Sequence, residues 1–410
     1  MNVNLKRSLL LPLAVFVSVL GCTSDSQPIT PSNEINPVNI PANIASGTNE
    51  FAFDFFENLQ KTQPAEENIF VSPLSLHMAL GMLLNGAGTE TAAEIRKGLK
   101  MEGVSDADLN QAYKSLIDGL PVADSQVKLG IANSVWYKKN FQVENSFLEV
   151  MKNAFDAEIA GIEFDEAGKD KINQWASDKT NGKIKKVLDK ISEDQVMFLL
   201  NALYFKGDWK NKFDAAATAD KTFKLESGST KNVKMMYSKT DAGLKTSDQF
   251  TAVELPYGND QFKMTLILPK GENTIGKVLS EINTENWAAL SASQGPNVKV
   301  GLPRFTLDYA VDLIETIKAM GINKVFGGGD LLKLSKNPNL YVNLINQNTY
   351  LGIDEKGSEA AAVTTIGIGL TSAGPEPGVF VCDRPFGLVI SEKTSNTILF
   401  MGRIMNPESK

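Results

Sequence analysis

Ile353-Asp354-Glu355-Lys356-Gly357-Ser358-Glu359-Ala360-Ala361-Ala362-Val363-Thr364-Thr365-Ile366-Gly367-Ile368-Gly369-Leu370-Thr371-Ser372-Ala373-Gly374-Pro375-Glu376-Pro377 is the stretch on which the reading of this chain turns. From Gly357 to Pro377 it holds no Lys, Arg or Asp and no bulky aromatic side chain. A structureless loop of ~20 residues inside a compact domain is uncommon unless it has a function. Ser358, Ala360, Ala362, Thr364, Ile366, Ile368 and Leu370 alternate with Glu359, Ala361, Val363, Thr365, Gly367 and Gly369. Side chains two apart share one face of a strand, so the segment is a loop that could also serve as a strand with one buried face.

Around it the chain reads as a globular protein. Of its 410 residues, 42% are hydrophobic and 22% charged, enough for a sizeable core and unlike a disordered chain. The net charge of −7 argues against a nucleic-acid partner, which requires clustered Lys and Arg. One histidine, His77, and two cysteines, Cys22 and Cys382, are too few for an ordinary zinc site, and neither a metal nor a cofactor is expected. There is no G-x-S-x-G elbow. A Ser-His-Asp triad would have to use His77, which lies in an apolar helix and reads as a core residue, so catalytic residues are not expected. Gly327-Gly328-Gly329 lacks the Lys-Ser/Thr of a phosphate loop and reads as a turn.

Helices and strands are mixed along the chain. Phe51, Phe55 and Leu59 after Thr48 and Asn49 predict a capped helix, and Ser72-Pro73 opens a second that runs to Leu84. Thr89 starts a third, and Glu144 to Ile159 has helical spacing. Val127 to Tyr137 reads as a strand, and Val196 to Phe205 as a central strand buried on both faces. Thr251 to Pro256 and Phe262 to Pro269 predict a hairpin about Gly258-Asn259-Asp260. Val298 to Leu307, Val311 to Met320 and Tyr341 to Ile353 read as strand, helix and strand. Gly378 to Ile390 and Thr397 to Ile404 are suited to a closing pair of strands.

At the amino end, Lys6 and Arg7 precede the apolar run Ser8 to Leu20, then Gly21 and Cys22, the order of an export signal over residues 1–21. Val19-Leu20-Gly21-Cys22 resembles a lipobox of the bacterial type, which would make Cys22 a lipidated first residue; ordinary cleavage and secretion is the alternative. A membrane is expected only through that lipid. Residues 22–47, rich in Ser, Pro, Asn and Thr, read as a flexible tether, and 48–410 as one domain. Cys382 then has no disulfide partner and reads as a small buried hydrophobe.

Four ordered motifs carry a resemblance that spans about Thr48 to the C-terminus. Ile353 to Ala362 resembles the hinge of an inhibitory serpin's reactive-centre loop. Phe380-Val381-Cys382-Asp383-Arg384-Pro385-Phe386, with Thr397 to Arg403, is similar to the family's C-terminal signature. Asn201-Ala202-Leu203-Tyr204-Phe205-Lys206-Gly207-Asp208-Trp209 resembles its central-strand motif, and Ser72-Pro73-Leu74-Ser75 the start of its second helix. Two residues depart from the pattern: Gly387 stands where a bulky apolar residue is common, and Gln347 where many animal members carry a histidine.

The resemblance implies an α+β fold: a single domain of mixed sheets surrounded by helices, with an exposed loop at about 357–378. It implies a suicide inhibitor of serine, and secondarily cysteine, endopeptidases, most naturally acting as a monomer. The protease acylates the loop, and the cleaved loop then inserts into the main sheet before deacylation. The implied hinge is Glu355, Gly357, Ser358, Glu359, Ala360, Ala361, Ala362 and Thr364, whose small alternate residues enter a sheet at little cost, where a buried unpaired charge would resist. A non-inhibitory member acting as a binding module is the alternative, and such members often carry bulky, charged or proline residues at these positions. Family spacing from Gly357 gives Thr371-Ser372 as the reactive bond, with Leu370-Thr371 as runner-up. Leu370 or Thr371 suits proteases with small or apolar pockets, of elastase, chymotrypsin or subtilisin type; trypsin-like pockets need Lys or Arg. Ser72, Ser75, Asn201, Trp209 and Arg304 are implied to line the region where the sheet opens, with Glu355 paired to Arg304.

Overall fold

Ser72 accepts a hydrogen bond from Ser75 N at 3.2 Å, and Pro73 takes the first helical position, so helix Pro73–Gly86 starts where its residues predict. The first helix does not. In the computed structural model, which describes Met1 and residues 34–240, 243–291, 298–358 and 378–408, it runs Ala42–Thr62 and begins ahead of the expected cap. Thr48 lies inside it with its hydroxyl on the carbonyl of Ile44, one turn back, at 2.8 Å. Asn49 spends its amide on a distant turn, donating to Asn396 O and accepting from Ile398 N. Val38 and Ile44 are buried, so the tether expected over 22–47 loses its last residues, 34–47, to the fold. The architecture is that of the unit Ser32–Lys410.

Three sheets carry it. The main sheet has the order Phe305–Asp312, Asn346–Ile353, Gly357–Ser358, Met197–Asp208, Val127–Lys138, Glu158–Ile162. A four-stranded sheet joins Gly378–Val381, Val298–Pro303, Thr230–Thr240 and Ala219–Lys224. The third is the apolar one, with the order Ile69–Val71, Ile398–Ile404, Phe386–Glu392, Phe262–Pro269, Phe250–Pro256, Lys245–Thr246. Every residue of Phe386–Glu392 and Ile398–Ile404 is buried. Gly387 lies there against helix Ile275–Ser280, where a β-carbon would come 2.8 Å from Leu279 Cδ2; Leu279 fills the space that a bulkier residue would take.

Several expected elements are split. Val298 to Leu307 becomes two strands in different sheets, broken at Arg304, and Gly378 to Ile390 breaks at Asp383-Arg384-Pro385. Phe155 ends its helix because Asp156 turns left-handed (φ 47°), after which Glu158–Ile162 is a strand. Val311 stays in a strand, so that helix is only Ile314–Ala319, and the strand expected from Tyr341 begins at Asn346. Met197–Asp208 is central, but most of its residues are only half-buried. Among the described residues, Gly357–Ser358 is its only ladder partner on one side.

Candidate functional site

The chain leaves Asn346–Ile353, turns at Asp354–Lys356, and re-enters the main sheet as Gly357–Ser358. Ser358 stands opposite Ile353 on one side and Gly207 on the other, while Gly357 faces Asp208. A β-carbon on Gly357 would lie 2.0 Å from the carbonyl oxygen of Gly207, so the approach admits only glycine. Trp209 grips the turn: its backbone N donates to Lys356 O at 2.7 Å and its indole Nε1 to Asp354 O at 2.9 Å. Its ring stacks on Tyr257 at 4.4 Å between centroids. Ser358 is 2% exposed, and its hydroxyl meets the Tyr257 hydroxyl at 2.5 Å. Burial drives the Tyr257 phenol far above its usual range, against the smaller opposing effect of the Ser358 hydrogen bond, so it stays protonated.

Glu355 and Arg304 meet, with Nη1 3.5 Å from Oε1, and Thr218 Oγ1 donates to the same carboxylate oxygen at 2.8 Å. Arg304 is substantially exposed, so the ion pair itself contributes at most ~1 kcal/mol.

Beyond Ser358 the sheet is open among the described residues. Met197–Asp208 is laddered to Val127–Lys138 over eleven residue pairs, and Asn346–Ile353 to Phe305–Asp312 over eight. Among the described residues no ladder pair joins Met197–Asp208 to Asn346–Ile353. Between these two banks lies a cavity of about 250 Å³, lined by 197–203 on one side and 339–349 on the other. Two strand edges facing one another across a gap are a template for a further strand.

Helix Pro73–Gly86 floors the gap, contributing Ser72, Ser75, Leu76 and Ala79 to its lining. Gln347 locks one bank to this helix: its Nε2 donates to Ser72 O and its Oε1 accepts from Ser72 N, both at 2.9 Å. Ser72 Oγ donates onward to Leu399 O at 2.7 Å. On the opposite bank Asn201 Nδ2 donates to Asn133 Oδ1 at 2.7 Å, and Asn201 Oδ1 is buried without a partner among the described residues. A neutral amide at 347 makes both bonds that this floor requires, without a titrating group.

The segment after helix Glu166–Lys179 roofs the gap, with Ile184, Val187 and Leu188 in the lining. It touches both banks. Asn181 Nδ2 donates to Tyr204 OH at 3.4 Å, while the Lys183 ammonium lies 4.5 Å from the ring centre of Tyr350. Lower down Asp194 accepts from Tyr341 OH at 2.8 Å and Asn343 Nδ2 at 2.9 Å; the Tyr341 bond is the main cause holding its carboxyl below the usual range.

Ser72, Ser75 and Asn201 thus line the gap, whereas Trp209 and Arg304 act on the hinge turn and not on the cavity. Glu359, Ala360, Ala361, Ala362, Thr364, Leu370, Thr371, Ser372 and Cys22 lie outside the described residues. Tyr257, Tyr350, Lys183 and Asn133 were not foreseen. Tyr257 directly follows a strand that the sequence does predict, but its partner Ser358 is 101 positions away, beyond any local pattern. His77 is fully buried; its Nε2–H donates to Leu99 O at 3.2 Å and its Nδ1 accepts from Tyr113 OH at 2.8 Å. Those two contacts give it a packing role, not a place beside a nucleophile. Cys382 is buried and burial pushes its thiol up, which makes it unreactive.

A model of the serpin family, described as serine protease inhibitor, matches residues 46–407. Leukocyte elastase inhibitor of Bos taurus is 32% identical over 379 residues, covering 89% of this chain and 99% of that protein. An uncharacterised serpin-like protein of Thermococcus kodakarensis is 31% identical over 376 residues, covering 89% of this chain and 86% of that one. Among solved structures, the thermophilic serpin tengpin in its native state superposes with a TM-score of 0.83 at 29% identity, covering 90% of this chain and 95% of tengpin. Human thyroxine-binding globulin gives 0.81 at 26% identity, covering 90% and 99%. With the hinge, the open main sheet and a family match over nearly the whole packed unit, this chain belongs to the serpins.

Proposed function

We propose that this serpin is a suicide inhibitor of serine endopeptidases that traps the acyl-enzyme by inserting its cleaved loop into the main sheet. The observation that carries the reading is the gap itself: two strand edges with a floor, unpaired among the described residues and begun at one end by Gly357–Ser358. The protease serine attacks the carbonyl of Thr371, the Thr371–Ser372 bond breaks, and the amine leaves on Ser372 with a proton. The loop remains esterified through Thr371. Insertion then competes with attack of water on that ester. Ser358 and the alternate residues after it, Ala360 and Ala362, are small, and nothing between Lys356 and Arg384 is basic, which favours targets with small or apolar pockets. Similarity to an inhibitor named for leukocyte elastase points the same way.

The fold alone does not separate this from a binding module, since thyroxine-binding globulin superposes almost as well as tengpin. Hinge composition favours inhibition. The test is incubation with an elastase-like protease: a covalent complex stable in denaturing gels and a released fragment beginning at Ser372, or at Thr371 for the runner-up bond. Cleavage without a complex would favour the binding-module reading. We further propose export, with lipid anchoring at Cys22 and secretion as the alternative; mass spectrometry of the mature amino terminus distinguishes them.

A further inference from the structure

Residues 34–41 precede the stretch matched by the family model, yet they are bonded to the fold. Gln261, which is 0% exposed, uses both ends of its amide on the backbone of Asn36: Nε2 donates to Asn36 O at 2.6 Å and Oε1 accepts from Asn36 N at 3.2 Å. Asn259 Nδ2 donates to Glu34 O at 2.9 Å. Val38 is 2% exposed, and its N donates to Thr394 Oγ1 at 2.9 Å. Glu34 to Pro41 is therefore a strap, fastened at several points to the turn Tyr257–Gln261 and its neighbours.

The same turn holds the hinge. Tyr257 hydrogen-bonds Ser358 and stacks on Trp209, and Gly258 N donates at 3.0 Å to the carbonyl of Asp208, the residue that faces Gly357. It is also a strained turn, because Asp260, which is not glycine, sits at φ 80°. Such a conformation persists only where its surroundings over-determine it. Asp124 braces it on one side by accepting from Asn259 N at 2.8 Å, and the strap braces it on another.

We propose that the strap, through Gln261 and Asn259, is a positioning element for loop insertion. By holding the turn it keeps Tyr257 on Ser358, so that the hinge stays seated and a cleaved loop starts its entry in one register. The kinetic consequence rests on the inhibitory reading above; the seating of the hinge does not.

Two variants of the full chain test this. Val38→Asp drives the strap off by burying an unpaired carboxylate, and leaves every residue of turn and hinge unchanged. Gln261→Met keeps the side-chain length and removes both amide bonds. Hydrogen exchange of peptides covering 34–41 reports whether the strap is undocked, and peptides covering 353–358 report the hinge. Both variants are expected to speed hinge exchange about tenfold. They are also expected to raise the number of molecules consumed per protease about fivefold, with the rate of acylation unchanged. A strap that exchanges freely while the hinge does not change overturns the proposal, as does Gln261→Met behaving as wild type. If Val38→Asp fails to fold, Gln261→Met decides alone. If the wild type traps no protease, the inhibitory reading fails, and hinge exchange still decides the role of the strap.

Discussion

The two ends of one gap differ. At the hinge end Ser358 is already paired with Ile353 and Gly207, buried and hydrogen-bonded; further along, the same two banks face each other with no pair between them among the described residues. The difference shows where the fold is complete and where it is a strand short. It also fixes a register. Continuing the antiparallel pairing from Ser358 sets Ala360 between Leu351 and Phe205, Ala362 between Thr349 and Leu203, and Thr364 between Gln347 and Asn201. Directly opposed residues share a face, so these side chains would point inward with Ser358.

Loading the open end with charge should have the largest effect. Ala362→Glu buries a carboxylate at a position with no partner, at a cost of several kcal/mol. Insertion should stall while acylation proceeds, converting inhibitor to substrate. The stoichiometry of inhibition against an elastase-like protease checks this; an unchanged value would mean that Ala362 does not enter the sheet.

Acid acts on the floor of the open end and not on the hinge hydroxyls. His77, in the floor helix, is lowered from 6.5 to about 4 by burial, against the smaller opposing effect of its hydrogen bond to the Leu99 carbonyl. Its folded pKa is depressed, so below 6.5 the unfolded chain takes up a proton that the folded chain refuses. The contribution is present above pH 6.5 and lost between 6.5 and about 4, on the order of 3 kcal/mol. Denaturant melts at pH 7 and pH 4.5 should show this loss, and His77→Gln should reduce it.

Thr364→Val sharpens the register. If Thr364 arrives beside Asn201, its hydroxyl supplies the partner that the buried Asn201 Oδ1 lacks. The variant should leave the intact protein unchanged and reduce the stability of the cleaved form by ~1 kcal/mol. An equal effect on both forms would place Thr364 elsewhere. Smallest is Tyr350→Leu, which releases Lys183 of the roof from one bank; a contact of ~0.5–1 kcal/mol gives only a few-fold faster insertion.

How much of this was legible in the sequence follows the range of the forces. Caps and alternation are local, so Ser72-Pro73 and the hairpin strands Phe250–Pro256 and Phe262–Pro269 were readable. The polar strand Ala219–Lys224 buries only Phe223 and carries too weak an apolar pattern to be read. Helix Asp106–Gly119 was legible, with Ser105 as its cap and Leu109, Ala112, Tyr113, Leu116 and Ile117 on one face, and went unread all the same. Met197–Asp208 looked buried on both faces because its side chains are apolar; an absent neighbour leaves no trace in composition. The hinge motif predicted Glu355 beside Arg304 through resemblance, whereas Tyr257, Gln261 and the strap become visible only when chain segments more than 100 residues apart are brought together.

The central claim is that the main sheet lacks a strand which the cleaved loop supplies. Differential scanning calorimetry of the wild type before and after cleavage in the loop tests it most directly. The account predicts a melting temperature at least ~10 °C higher for the cleaved protein, from new ladder bonds and burial of alternate side chains. An unchanged melting temperature after complete cleavage would mean that the gap stays empty, and would contradict insertion.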